Sequence, residues 1–205
     1  MTFATLRRAF CAFALSLFAV HAGAAPILII NSSGLLTGAL NVDVKGVLYD
    51  VTFADGTCKT LFNCQTSAFP FKLGVEAEPA AKALLDQVFV NSSLGQFDSS
   101  PNKVFGCTGN GSCTTWIPYI ATSNLMYLAS AVNGKTEGAD KTATFTTTDP
   151  NYESGGNENF AIFKLAAAVP EPASIVLSAL ALAALLVLRR RVPAGGSGTA
   201  GLTPV

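Results

Sequence analysis

The stretch Leu40–Phe53 constrains the fold more than any other. Leu40, Val42 and Val44 alternate with Asn41, Asp43 and Lys45, and beyond Gly46 the residues Val47, Tyr49, Val51 and Phe53 again take every second place. Alternation with a period of two on both sides of a glycine turn is the pattern of an antiparallel hairpin with one buried face. Asp55-Gly56 then marks a turn. Further along, Trp116–Thr122, Leu125–Val132, Thr142–Thr148 and Asn159–Leu165 read as strands, with Asn133-Gly134 expected as a hairpin turn. One segment breaks the period. From Pro79 to Val90, the residues Ala81, Leu84, Leu85, Val88 and Phe89 form one helical stripe, and Pro79 suits a first helical position. Lys82 and Asp86 stand one turn apart on its outer face. The expected class is α+β, mainly antiparallel sheet with one amphipathic helix.

Both ends differ in kind from this middle. Arg7 and Arg8 precede an apolar run from Ala9 to Val20 and the small residues Ala22-Gly23-Ala24-Ala25. A basic head, a short apolar stretch and an A-x-A site are what signal peptidase reads, so residues 1–24 are expected to be a signal peptide. Near the other end, Ala173–Leu188 is apolar and free of charge, and Arg189, Arg190 and Arg191 follow at once. As a helix this run would reach about 24 Å, somewhat short of a hydrocarbon core of about 30 Å. Snorkelling and local thinning close such a gap, so 173–188 is expected to be a transmembrane helix. The three arginines would stay cytoplasmic, with a flexible tail over 192–205 behind them, which leaves residues 25–168 as an exported ectodomain.

Set apart in this way, the ectodomain has its own chemistry. All five arginines lie in the terminal segments, and between residues 25 and 169 eight lysines face twelve Asp and Glu, a net charge near −4. The basic footprint of nucleic-acid binding is missing, so no nucleic-acid partner is expected. Four cysteines remain after export, Cys58, Cys64, Cys107 and Cys113, as two C-x5-C pairs. An even number in an oxidising compartment suggests two disulfides, and local loops 58–64 and 107–113 are the expected pattern among the three possible. The spacing is wider than zinc sites use.

The single histidine, His21, lies in the signal peptide. Without histidine or arginine the ectodomain lacks Ser–His–Asp and Cys–His catalysis, histidine metal sites and arginine clamps. No residue is therefore assigned as catalytic or as a metal ligand, and no cofactor is expected. Carboxylate chemistry remains, since paired acids can hydrolyse a glycosidic bond. Asp43, Asp50, Asp55, Asp98, Asp140, Asp149, Glu153 and Glu158 are available, but no spacing singles out a pair. Asp149–Gly155 places oxygen ligands at alternate positions, like the start of a calcium loop, but Ser154 and Phe160 stand where Gly and Glu are needed. Trp116, Tyr119 and Tyr127 are of a type that stacks on sugar rings, though at alternating strand positions they read as core.

Val169-Pro170-Glu171-Pro172-Ala173-Ser174, the apolar run to Leu188 and the arginines behind it resemble, in that order, the PEP-CTERM sorting domain. The resemblance implies transient anchoring in the inner membrane. It also implies processing near Pro170, Glu171 and Pro172 by an exosortase, a membrane-embedded cysteine transpeptidase. Arg189, Arg190 and Arg191 would be the charged lock. Gly46–Cys58 and Ala83–Val88 are likewise similar to ectodomains of such proteins. The tail Val192–Val205 departs from the family, which usually ends soon after its arginines.

These features lead to the expectation of a non-enzymatic surface or extracellular-matrix protein of a Gram-negative bacterium. Its partners would be signal peptidase, exosortase, the membrane through 173–188, and exopolysaccharide in a biofilm. The alternatives are a secreted carbohydrate-active enzyme using two carboxylates and a membrane-anchored carbohydrate-binding module.

Overall fold

The computed structural model describes residues 25–136 and 138–167. The expected signal peptide at 1–24, the expected transmembrane helix over 173–188, the motif residues Pro170, Glu171, Pro172, Arg189, Arg190 and Arg191, and the expected tail 192–205 lie outside them.

The expected hairpin is present. Strands β2 (Leu36–Val44) and β3 (Val47–Ala54) pair antiparallel around Lys45-Gly46. Both turn residues have positive φ, 53° and 85°, the two-residue geometry whose twist matches the flanking strands. Asp43 Oδ1 accepts a hydrogen bond from Gly46 N at 2.6 Å. The strict alternation fails at one place. The register shifts between Ala39 and Val42, and Asn41 takes a φ of 59°. Ala39, Val42 and Val44 therefore share the buried core cluster, while Leu40 is only half-buried. An extra residue of this kind is a β-bulge, which flips the phase of everything before it.

The described residues form a seven-stranded sheet in the order β1-β2-β3-β9-β6-β7-β8. Its other strands are β1 (Ile27–Ile30), β6 (Ser112–Ala121), β7 (Met126–Gly134), β8 (Lys141–Thr147) and β9 (Glu158–Leu165). All neighbours are antiparallel except β6 and β9, which run parallel through Thr114–Trp116 and Glu158–Phe160. A small separate hairpin joins β4 (Asn91–Ser92) to β5 (Gly95–Gln96). The α+β class, dominated by antiparallel sheet, is as expected. Neither β1 nor the small hairpin was anticipated.

Two corrections concern turn chemistry. Asn133-Gly134 is not the hairpin turn between β7 and β8. Both residues belong to β7, opposite Cys113 and Ser112 of β6, and the chain turns over the residues that follow. A Cβ on Gly134 would run into Ala139 Cβ, so glycine serves close strand approach here, not turn formation. The helix, in turn, starts five residues before Pro79. Helix α1 (Cys58–Phe62) is short, and α2 (Gly74–Gln87) is the long one, with Pro79 inside it. No side chain caps α2 at Leu73; instead Glu76 Oε2 accepts from Lys72 N at 2.8 Å. The stripe Ala81, Leu84, Leu85, Val88 and Phe89 continues N-terminally as Ala77 and Ala80, both fully buried. Small residues carried that extension, so it was faint to a reading based on large apolar side chains.

Helix α2 lies on one face of the sheet, against β2, β6, β7 and β8. Ala77, Ala80, Ala81 and Ala83 allow its close approach, and Leu84 and Val88 are fully buried, each worth about 1.5–3 kcal/mol. Gln87 ties its end to β2, accepting from Asp43 N at 3.0 Å and donating to Asp43 O at 2.8 Å. On the opposite face α1 covers a second cluster, with Phe62, Phe69, Trp116, Leu128 and Phe160. The central strand β6 is thus buried on both faces, with Trp116 and Ile117 in different clusters.

Candidate functional site

The cysteines pair as Cys58–Cys64 and Cys107–Cys113, with Cα separations of 5.2 and 5.7 Å. The first closes α1, whose start is fastened by Thr57 and Thr60 in a reciprocal cap. The second closes the loop entering β6 and is held by Thr108 N to Gly156 O at 2.8 Å and Thr114 N to Asn157 O at 2.8 Å.

The candidate acids are dispersed, and each of those with a hydrogen bond engages a different group. Asp43 serves the β2–β3 turn, and Asp50 Oδ1 accepts from Asn41 N, at 3.2 Å, at the bulge. Asp55 Oδ1 accepts from Ser154 Oγ at 2.8 Å. Asp149 Oδ1 accepts from Asn151 N at 2.9 Å, and Asn151 Oδ1 accepts from Lys59 N at 2.9 Å. The oxygens of the calcium-like loop thus fasten that loop to itself and to α1. Asp98 Oδ2 accepts from Asn91 Nδ2 at 3.2 Å, and Asp140 Oδ1 from Gly134 N at 2.8 Å. Burial pushes the Asp140 carboxyl above the usual carboxylate range; the Gly134 N–H opposes this and nearby Asp98 adds to it. Among the described residues no three His, Cys, Asp or Glu side chains gather in a metal-binding group.

Glu158 sits in a knot of aromatic side chains. One of its oxygens accepts from Trp116 Nε1 at 3.0 Å and from Tyr152 Oη at 2.5 Å. Burial, then the bond to Glu158 and its charge, push the Tyr152 phenol up to about 12. Trp116 is only 8% exposed and packs beside Phe145 and Tyr152 at ring distances of 5.4 and 5.9 Å. Its ring is thus packed inside the protein instead of presented as a stacking platform. Tyr119 is equally buried, 6.1 Å from the half-buried Tyr127 ring, and its phenol is pushed up first by burial and then by Tyr127. Sequence reasoning gave no sign of the Trp116–Tyr152–Glu158 knot, because the parallel pairing of β6 with β9 assembles it from distant segments.

An open cleft of about 520 Å³ lies between α2, the β2–β3 turn and β8. Val75, Pro79 and Ala83 contribute apolar lining, and Asp43, Lys45 and Glu78 are among its charged lining residues. Lys82 and Asp86, also in the lining, form the expected i,i+4 pair at 2.7 Å.

Among the described residues no helix is long and apolar enough to cross a membrane. Residues 168–191 match the PEP-CTERM protein-sorting motif. The chain has no match among curated proteins or solved structures.

Proposed function

We propose that this chain, a PEP-CTERM protein exported and sorted by an exosortase, serves as a non-enzymatic component of the cell surface or extracellular matrix. The match over residues 168–191 carries the reading. It implies a membrane-anchored intermediate that exosortase processes on the way to the surface. The finer sequence of events is our proposal. Signal peptidase removes residues 1–24, the run 173–188 holds the intermediate in the inner membrane of a Gram-negative cell, and cleavage falls near Pro170, Glu171 and Pro172. The released ectodomain then associates with exopolysaccharide in a biofilm matrix.

The ectodomain's chemistry is consistent with a structural role. Its hydrogen-bonded candidate acids each engage a different group, Trp116 is buried, and two short disulfide loops brace the ends of α1 and β6. The test is the intact mass and cell fraction of the protein in its native host, with and without the exosortase. Loss of both terminal segments and appearance at the surface only when the enzyme is present is the expected result. A mass that retains Ala173–Val205 in both strains would refute the processing step. Retention of the processed ectodomain by host exopolysaccharide in a pull-down, absent with an unrelated glycan, checks the matrix assignment.

A further inference from the structure

An open sheet has two edges, and here they are β1 and β8. An edge strand presents unpaired backbone N–H and C=O groups, and proteins that stay apart shorten, kink or interrupt such strands. β1 follows this rule. It has four residues, comes directly after Pro26, and shifts register between Ile29 and Ile30. β8 does not. It runs for seven residues without proline, and its register with β7 is unbroken from Lys141 to Thr147.

Hydrogen bonds at the neighbouring strands fix which groups of β8 face outward. Lys135 N donates to Gly111 O at 3.0 Å, continuing the β6–β7 register. From Leu128 onward, odd-numbered residues of β7 therefore bond β6, and even-numbered ones bond β8. Ser130 accordingly faces Ala143, and its hydroxyl donates to Ala143 O at 3.3 Å. By the same alternation Thr142, Thr144 and Thr146 turn their backbone groups away from β7, and no described residue bonds those groups. Phe145, which leans on Trp116, is still 45% exposed at this edge.

The edge is complementary to itself. With a second β8 laid antiparallel so that Phe145 faces Phe145, Thr144 meets Thr146 and Thr142 meets Thr148 in backbone-bonded pairs, and Lys141 stands across from Asp149. Lys141, Phe145 and Asp149 lie an even number of residues apart, so they share one face. Both charged residues are exposed, and Asp149 uses Oδ1 on Asn151 N, leaving Oδ2. Twofold symmetry makes the ion pair twice. Sliding one strand by two residues puts Lys141 opposite Thr147 or Asn151 and loses both the ion pairs and the facing phenylalanines.

We propose that β8 pairs with β8 of a second copy of this chain in the Phe145-centred register, joining two ectodomains into a twofold dimer with one continuous sheet. A second copy fits this edge because its charges and its apolar centre find their complements in the same register. The pairing goes beyond the sorting reading and does not depend on it, so a failure of exosortase processing leaves it standing.

The test is disulfide trapping of the full chain, purified in detergent in a Cys11→Ser background. Facing residues at a non-bonded antiparallel position have Cα atoms about 4.5 Å apart, within the roughly 4.4–6.8 Å that a disulfide spans. Phe145→Cys should therefore give a dimer that reductant dissolves. Ala143→Cys and Thr147→Cys should each stay monomeric alone and cross-link when mixed, since in this register each faces the other. Lys141→Glu added to Phe145→Cys turns two attractive pairs repulsive and should slow trapping about tenfold; adding Asp149→Lys as well should restore it. No dimer from folded Phe145→Cys would overturn the proposal and leave the edge to a strand of another protein. Trapping of Ala143→Cys alone as readily as Phe145→Cys would overturn it equally, as the sign of chance collision. Should Phe145→Cys fail to fold, sedimentation in density-matched detergent decides: wild type should run heavier than Lys141→Glu, and no difference would overturn the pairing.

Discussion

Lys45 carries a long side chain at a φ of 53°, where L-residues other than Asn and Gly are disfavoured. Lys45→Asn should therefore raise the unfolding free energy by about 0.5–1 kcal/mol, read as a higher denaturant midpoint at unchanged slope. Tyr152 offers a pH handle. Its phenol is held up at about 12 against an ordinary 10.0, so the fold favours the neutral form. That contribution is complete below pH 10.0 and is lost as pH rises towards 12. Glu158→Gln removes the charge that helps hold the phenol up, and Tyr152 should then ionise at lower pH in a phenolate absorbance titration. No downward movement would mean that burial alone sets the value.

At the scale of elements, the sheet depends on a close approach that side-chain patterns do not announce. A Cβ at Gly38 would collide with the Val51 carbonyl oxygen across β2 and β3. Because the obstacle is backbone, it cannot swing aside, and Gly38→Ala should cost about 1–3 kcal/mol in chemical denaturation. The disulfide loops act on the unfolded chain instead. Replacing Cys107 and Cys113 together by Ser removes a short cross-link and should cost about 2–3 kcal/mol, seen as a lower Tm that reductant no longer changes at that loop. Helix α2 and the β2–β3 hairpin were legible because large apolar residues repeat at fixed intervals. The helix's first turn and the bulge at Asn41 were not, because alanines give a weak stripe and one inserted residue leaves composition unchanged.

For the whole molecule the decisive strand is the last. β9 lies between β3 and β6, pairing antiparallel with one and parallel with the other, and buries Phe160, Ala161 and Phe163. The sheet cannot close until the chain has been made nearly to the sorting motif, which starts at residue 168, three residues beyond Leu165. A chain truncated before Glu158 should lose cooperative unfolding and most strand signal in circular dichroism; a cooperative transition would show that β9 is dispensable. Pairings this far apart in sequence also place folding in the slower, milliseconds-to-seconds class.

Sequence by itself determined what is local or compositional. The sorting motif is a contiguous string, read by its Pro-Glu-Pro, its hydropathy and its charge. The hairpin at Lys45-Gly46, the class of fold and the local cysteine loops rest on spacings within a few residues. Tertiary structure decided everything that depends on which strand neighbours which. It moved Asn133 and Gly134 from an expected turn into β7 and buried Trp116 with Tyr152 and Glu158. The physical reason is that periodicity reports which face of a strand is buried, whereas strand order is settled by the packing of the whole sheet.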